Sequence, residues 1–226
     1  MGEISRLWEL YGVRFFQGAI VTLEITAVAV VLGVIIGLAL ALTRLYAPRW
    51  LAVPAIGYIE LFRGTPLLVQ LFIVYYGLPA FGILIDNLPA AFLTLGMNSG
   101  AYQAEYFRGA IKSIDPGQVT AARAVGMSQL QALRFILLPQ AMRVVLPAWS
   151  NEVIGVMKAS AVVFLIAVQD LMAQAKIIFG RTFNPVEAYV VVTIVYLVLI
   201  AALAFLLARL ERRLHIPGLE FAEQHR

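Results

Sequence analysis

The sequence has no cysteine among its 226 residues. Disulfides, thiolate metal sites, iron–sulfur clusters and cysteine nucleophiles are therefore excluded. Charge is scarce too: 13% of residues are Asp, Glu, Lys or Arg, where an average soluble domain has roughly 25%. The two histidines, His215 and His225, both fall in the polar C-terminal stretch, so no histidine metal site is expected within an apolar core. The chain also lacks the G-x-x-x-x-G-K-S/T phosphate loop, G-x-S-x-G, H-E-x-x-H and G-x-G-x-x-G. No catalytic residue and no metal or other cofactor is expected, and any energy source must be an ion gradient or a partner protein. The first 18 residues carry Glu3, Arg6, Glu9 and Arg14, and so contain no apolar core of secretory-leader length.

What is present is apolar. Hydrophobic residues make up 62% of the chain, and the mean hydropathy is +0.87. A membrane-spanning helix needs about 20 apolar residues, so this length allows about five or six spans with short connections and little else. The fold expected is an all-α integral membrane protein, a single transmembrane domain over residues 1–226. Residues 1–17 read as an amphipathic interfacial segment, with Trp8 and Tyr11 at headgroup level. Residues 19–43 form the first span, in which Gly33 and Gly37 offer a close helix approach or simply face lipid. Residues 51–80 form a second, broken where Glu60-Leu-Phe-Arg-Gly-Thr-Pro66 interrupts them. Residues 89–110, 139–157 and 188–208 complete the set.

Net charge is +4, a balance that in a soluble protein would point to nucleic acid. Here its placement matters more, and no nucleic-acid partner is expected. Arg44 and Arg49, then Arg108, Lys112, Arg123 and Arg134, then Arg209, Arg212 and Arg213 fall in three segments on one side. The positive-inside rule makes that side cytoplasmic, with the N-terminus outside and the 209–226 tail inside.

Polar residues inside the spans are candidates for function, because charge at membrane depth is costly. Asn98, Tyr102 and Glu105 share one face of the third span, and Asn151 and Lys158 share a face of the fourth, with Glu152 and Ser160 beside them. If these faces meet, Lys158 suits an α-carboxylate, Glu152 an ammonium or guanidinium group, and Asn98 either donor or acceptor. The same residues also suit a buried ion pair and helix–helix hydrogen bonds without any ligand. Between the third and fourth spans, residues 112–138 are polar and Ala-rich. Asp115-Pro-Gly117 reads as a helix start, Gly126 as its end, and Ser128 as the cap of a second short helix running to Leu138-Pro139. An exposed helix this short gains stability by docking on a partner; it also suits a plain connection.

The loop resembles the EAA motif of bacterial ABC importer permeases, through Ala121-Ala122, Gly126 and Leu138-Pro139. Arg63-Gly-Thr-Pro-Leu-Leu-Val-Gln-Leu-Phe72, Tyr75-Tyr-Gly-Leu-Pro79, Gly117-Gln118 and Leu138-Pro-Gln140 are similar to the polar amino-acid branch, and the likeness runs from about residue 17 to 210. The resemblance implies a transmembrane subunit of an ATP-driven importer in the bacterial inner membrane. It implies a second permease subunit, either an identical copy or a sister chain. A cytoplasmic ATPase dimer would bind ATP and Mg2+, and an extracytoplasmic binding protein would deliver the amino acid. The loop residues Gly117, Thr120, Ala121, Ala122, Arg123, Gly126 and Met127 would then couple to the ATPase, with Thr120 standing where the motif has Glu. Asn98, Asn151, Glu152, Lys158 and Ser160 would serve the substrate. Glu152 points to a cationic or neutral polar amino acid such as arginine, lysine, histidine or glutamine. Arg63, Gly64 and Pro66 would form a gating kink. An ion-coupled secondary transporter using Glu24, Glu105 and Glu152 is the alternative.

Overall fold

The computed structural model describes residues 2–214. The polar tail expected to be cytoplasmic therefore lies outside the described residues from His215 onward. Among the described residues every regular element is helical. Helix α1 spans Gly2–Tyr46, α2 Arg49–Gly64, α3 Leu67–Phe72 and α4 Asn87–Ser113. The short α5, Pro116–Ala124, and α6, Gln129–Ala132, precede α7, Leu138–Ala159. Helices α8, Leu171–Thr182, and α9, Pro185–Leu214, close the chain.

Helix α1 is the spine of the molecule. It runs without a break through the boundary expected near residue 17, and the segment before it is packed rather than free. Leu7 and Phe15 are buried against Leu171, Ala175 and Ile178 of α8 and Val191 of α9. Further along, Ile25 and Ala29 join Ala91 and Leu95 of α4 and Val153 and Val156 of α7. Near its end Ala41 meets Phe107, Ile111, Ala141 and Val145. The small-residue seam settles which surface Gly33 and Gly37 face. A Cβ on Gly37 would lie 3.0 Å from the Gly100 carbonyl oxygen and 2.8 Å from Gln103 Cβ, so α4 touches α1 backbone to backbone. The contact is reciprocal, since Gly96 and Gly100 of α4 receive Leu32 and Ile36 of α1.

The second span is broken as expected. Thr65 is extended, at φ −118° and ψ 147°, because the ring of Pro66 disfavours the helical region for the residue before it. The chain resumes through α3, a π turn over Ile73–Gly77 and a 3-10 turn over Leu78–Phe81, bent 107° from α2. Among the described residues three helices are long and apolar enough to cross a membrane, Arg6–Tyr46, Gln129–Ile166 and Pro185–Leu214, and the bent pair makes a fourth if it is one span. Helix α4 has the length of a span, but the polar side chains of its second half set it apart from these in composition.

Two expectations are corrected. The helix begun at Ser128 does not stop at Leu138-Pro139. A π turn over Leu133–Leu137 widens the helix, with Leu138 N–H donating to Leu133 O, and Pro139 then falls in the first turn of α7, where its missing N–H costs little. The second is α8, a helix between the spans expected over 139–157 and 188–208, where no helix is expected. Asp170 caps it by accepting from Ala173 N–H at 2.9 Å, and Leu171, Ala175 and Ile178 form its buried stripe.

Candidate functional site

The face of α4 that carries Asn98, Tyr102 and Glu105 meets three different partners. Asn98 Nδ2 donates to Phe62 O at 3.1 Å and to Gln70 Oε1 at 3.0 Å, so it sits on the bend between α2 and α3. One turn on, Tyr102 lies beneath the Arg63 guanidinium, which is 5.4 Å from the ring centroid. Glu105 is paired with Arg44 of α1 and accepts from Arg108 Nε at 3.0 Å. Gly64 and Pro66 are exposed, and a Cβ on Gly64 would meet nothing within 4 Å.

A separate polar chain links α7 and α4, and Gln103 Nε2 reaches Val30 O of α1 at 3.4 Å. Glu152 Oε1 accepts from Ser99 Oγ at 2.9 Å. Ser99 also accepts from Gln103 Nε2 at 2.9 Å, and Trp149 Nε1 donates to Gln103 Oε1 at 3.1 Å. The Tyr106 hydroxyl faces the same Glu152 carboxylate. Glu152 is half-buried and has no Lys, Arg or His within ion-pair distance among the described residues. Asn151 and Lys158 are exposed on α7. Ser160 turns inward and donates to Met157 O at 2.8 Å. Within one chain, then, Glu152 and the α4 face come together, Asn151 and Lys158 lie on the outer surface, and Ser160 belongs to the interior. Sequence reasoning missed Ser99, Gln103 and Trp149. Their spacing was legible, since Ser99 and Gln103 are one turn apart and Trp149 and Glu152 three residues apart, but nothing in one helix names its partner in another.

The connection after α4 is built as its residues dictate. Asp115 Oδ1 accepts from Gly117 N–H at 2.7 Å, and Pro116 occupies the first helical position. Gly126, at φ +87°, closes α5. Its N–H bonds Arg123 O at 3.0 Å, and Met127 N–H bonds Ala122 O at 3.1 Å, the paired C-terminal bonds of a Schellman motif. Ser128 and Gln131 then form a capping box. Gly117, Thr120, Ala121, Arg123 and Gly126 are exposed, Met127 is half-buried, and Ala122 faces the chain itself. Thr120 Oγ1 donates back to Pro116 O at 3.3 Å. The same surface shows Val125, Leu130 and Phe135 at 77%, 73% and 59% exposure. Neighbouring apolar side chains this open mark a surface that expects a partner.

A family model described as "Binding-protein-dependent transport system inner membrane component" matches residues 29–216. Among curated proteins, the arginine transport system permease protein ArtQ of Bacillus subtilis is 39% identical over 199 residues, covering 88% of this chain and 91% of its own. The histidine/lysine/arginine/ornithine transport system permease protein HisM of Escherichia coli is 36% identical over 208 residues, covering 88% and 87%. Among solved structures, an amino acid ABC transporter crystallised with histidines has a chain 42% identical, with a TM-score of 0.84 and coverage of 90% and 95%. The MetNI methionine ABC transporter in an inward-facing conformation shares the fold at 22% identity, with a TM-score of 0.79 and coverage of 92% and 99%.

Proposed function

The chain belongs to the family of inner-membrane components of binding-protein-dependent transport systems, and from that premise we propose that it carries a cationic or neutral polar amino acid inward across the membrane. As a permease subunit of an ABC importer it is not itself an enzyme, and ATP hydrolysis belongs to a separate ATPase. The observation that carries the cargo reading is Glu152. A half-buried carboxylate in a membrane helix normally has a cation beside it. Here Ser99 holds the group in place and the cation is left to the cargo. Lys158, exposed on the same helix six residues on, takes the α-carboxylate, and Asn151 lines the approach. The arginine and histidine/lysine/arginine/ornithine systems of the named relatives fit this charge logic.

In this reading a second permease subunit covers the outer surface of α7, and an external binding protein delivers the amino acid. The cytoplasmic ATPase dimer takes the exposed surface of α5, with Val125 and Leu130 added to the residues named from sequence. The N-terminus lies outside, α4 counts as a span, and the total is about five. The ion-coupled alternative gains no support. Glu105 is neutralised by two arginines, and Glu24, exposed on α1, has no ion-pair partner among the described residues.

The test is a melting-temperature panel of the twenty amino acids on the purified permease, wild type beside Glu152→Gln and Lys158→Ala. A ligand that binds only the folded state raises the melting temperature by mass action. The expected result is a rise with arginine, lysine, histidine or glutamine that both variants lose. A rise with glutamate or aspartate, or an undiminished response in Glu152→Gln, overturns the cargo reading.

A further inference from the structure

We infer that Gln70 and Asn98 form a two-amide clamp that holds the bend between α2 and α3 against α4, and that this clamp sets how much ATP is hydrolysed per cargo molecule moved. The inference deepens the transporter reading and rests on it for the second clause.

The clamp begins as a local problem of unpaired carbonyls. In an unbroken helix Phe62 O would accept from the N–H of residue 66, but that residue is a proline and has none. Leu61 O and Thr65 O likewise lose their helical donors where Thr65 turns extended. Each is satisfied by a side chain. Thr65 Oγ1 donates to Leu61 O at 2.7 Å. Gln70 Nε2 donates to Phe62 O at 2.8 Å, with Thr65 O at 3.1 Å and Thr65 Oγ1 at 2.7 Å also in reach. The buried Gln70 therefore closes the break from the α3 side.

The second amide comes from another helix. Asn98 Nδ2 spends both hydrogens here, one on Phe62 O and one on Gln70 Oε1. Only the Asn98 oxygen is left to offer a ligand. The bend is thus attached to α4 at two levels, by Asn98 and, one turn on, by Arg63 over Tyr102. Packing around it is open, because nothing lies within 4 Å of a Cβ on Gly64. Two neutral amides can release and re-form without stranding a charge in the membrane, which suits a joint that must open in every cycle.

Two measurements decide it. In the complete reconstituted transporter, with its ATPase and binding protein, ATP hydrolysis and arginine uptake are read together for Gln70→Met, which conserves volume, for Asn98→Ala, and for the double variant. Each single change is expected to raise the ATP hydrolysed per arginine by on the order of fivefold, with the double variant no worse than either, as for two members of one contact. Additive effects, or an unchanged ratio in Gln70→Met, overturn the clamp. Reduced arginine affinity in Asn98→Ala alone overturns it as well, and assigns Asn98 to the cargo. The second measurement needs no cargo. Spin labels on Leu61→Cys and Gly109→Cys of the otherwise cysteine-free permease should give a distance distribution that broadens in Gln70→Met and in Asn98→Ala. Unchanged distributions overturn the clamp, whereas broadening without arginine uptake in the wild type leaves it standing and counts against arginine as the cargo.

Discussion

Single residues show how expensive groups are stationed in an apolar chain. Glu105 is neutralised by Arg44 and Arg108, while Glu152 accepts from the neutral Ser99 hydroxyl and has no ion-pair partner among the described residues. Asp170, in the connection before α8, is a third case. It is fully buried, one of its oxygens caps α8 and the other has no partner. Burial pushes its carboxyl up to about 6. Its folded-state value exceeds the ordinary carboxylate value, so stability is greatest below that range and is lost as pH rises through about 6. Asp170→Asn keeps a capping oxygen and removes the buried charge. It is expected to raise the melting temperature at pH 7.5 by a few degrees, on the order of 1–2 kcal/mol, and by less at pH 5. An equal effect at both pH values would count against the account. Glu152 was legible in the sequence because a charge inside an apolar run stands out. Its partner Ser99 was not, since serine is common in membrane helices and signals nothing by itself.

At the scale of elements, proline and glycine made the breaks legible. Thr65-Pro66 and Gly126 end helices where their backbone preferences require it. The π turn at Leu133–Leu137 was not legible, because a proline after an apolar run reads as a stop unless the preceding turn widens. Helix α8 escaped because it is 12 residues long and mixes Gln, Lys and Arg with its apolar stripe. The seam between α1 and α4 carries the sharpest expectation. Gly37→Leu would place a side chain 3.0 Å from backbone atoms of Gly100 and Ala104, which cannot move without moving the helix. It should cost about 1–3 kcal/mol or more and lower the yield of folded permease. Gly109→Leu, whose Cβ meets nothing within 4 Å, should express as the wild type does. Equal yields of the two variants in detergent would show that the seam does not hold the helices.

At the scale of the whole molecule, composition gave the class, and the distribution of arginines gave an orientation that the fold alone does not carry. A chain without cysteine is its own background for labelling. Single cysteines at Gln118 and Gly82 should be modified by a membrane-impermeant maleimide from opposite sides, Gln118→Cys only from the cytoplasm and Gly82→Cys only from outside. Both labelled from one side would refute the orientation and the expected number of spans together.

The π turn also has a mechanical meaning. Because it joins α6 to α7 without a gap, a rod runs from the apolar surface at Leu130 to the carboxylate of Glu152, roughly 35 Å at helical rise. A rod has no slack. On the proposed function, a push at the Leu130 end is carried along this helix to Glu152, so the charge assigned to the cargo is coupled to a surface that never touches it.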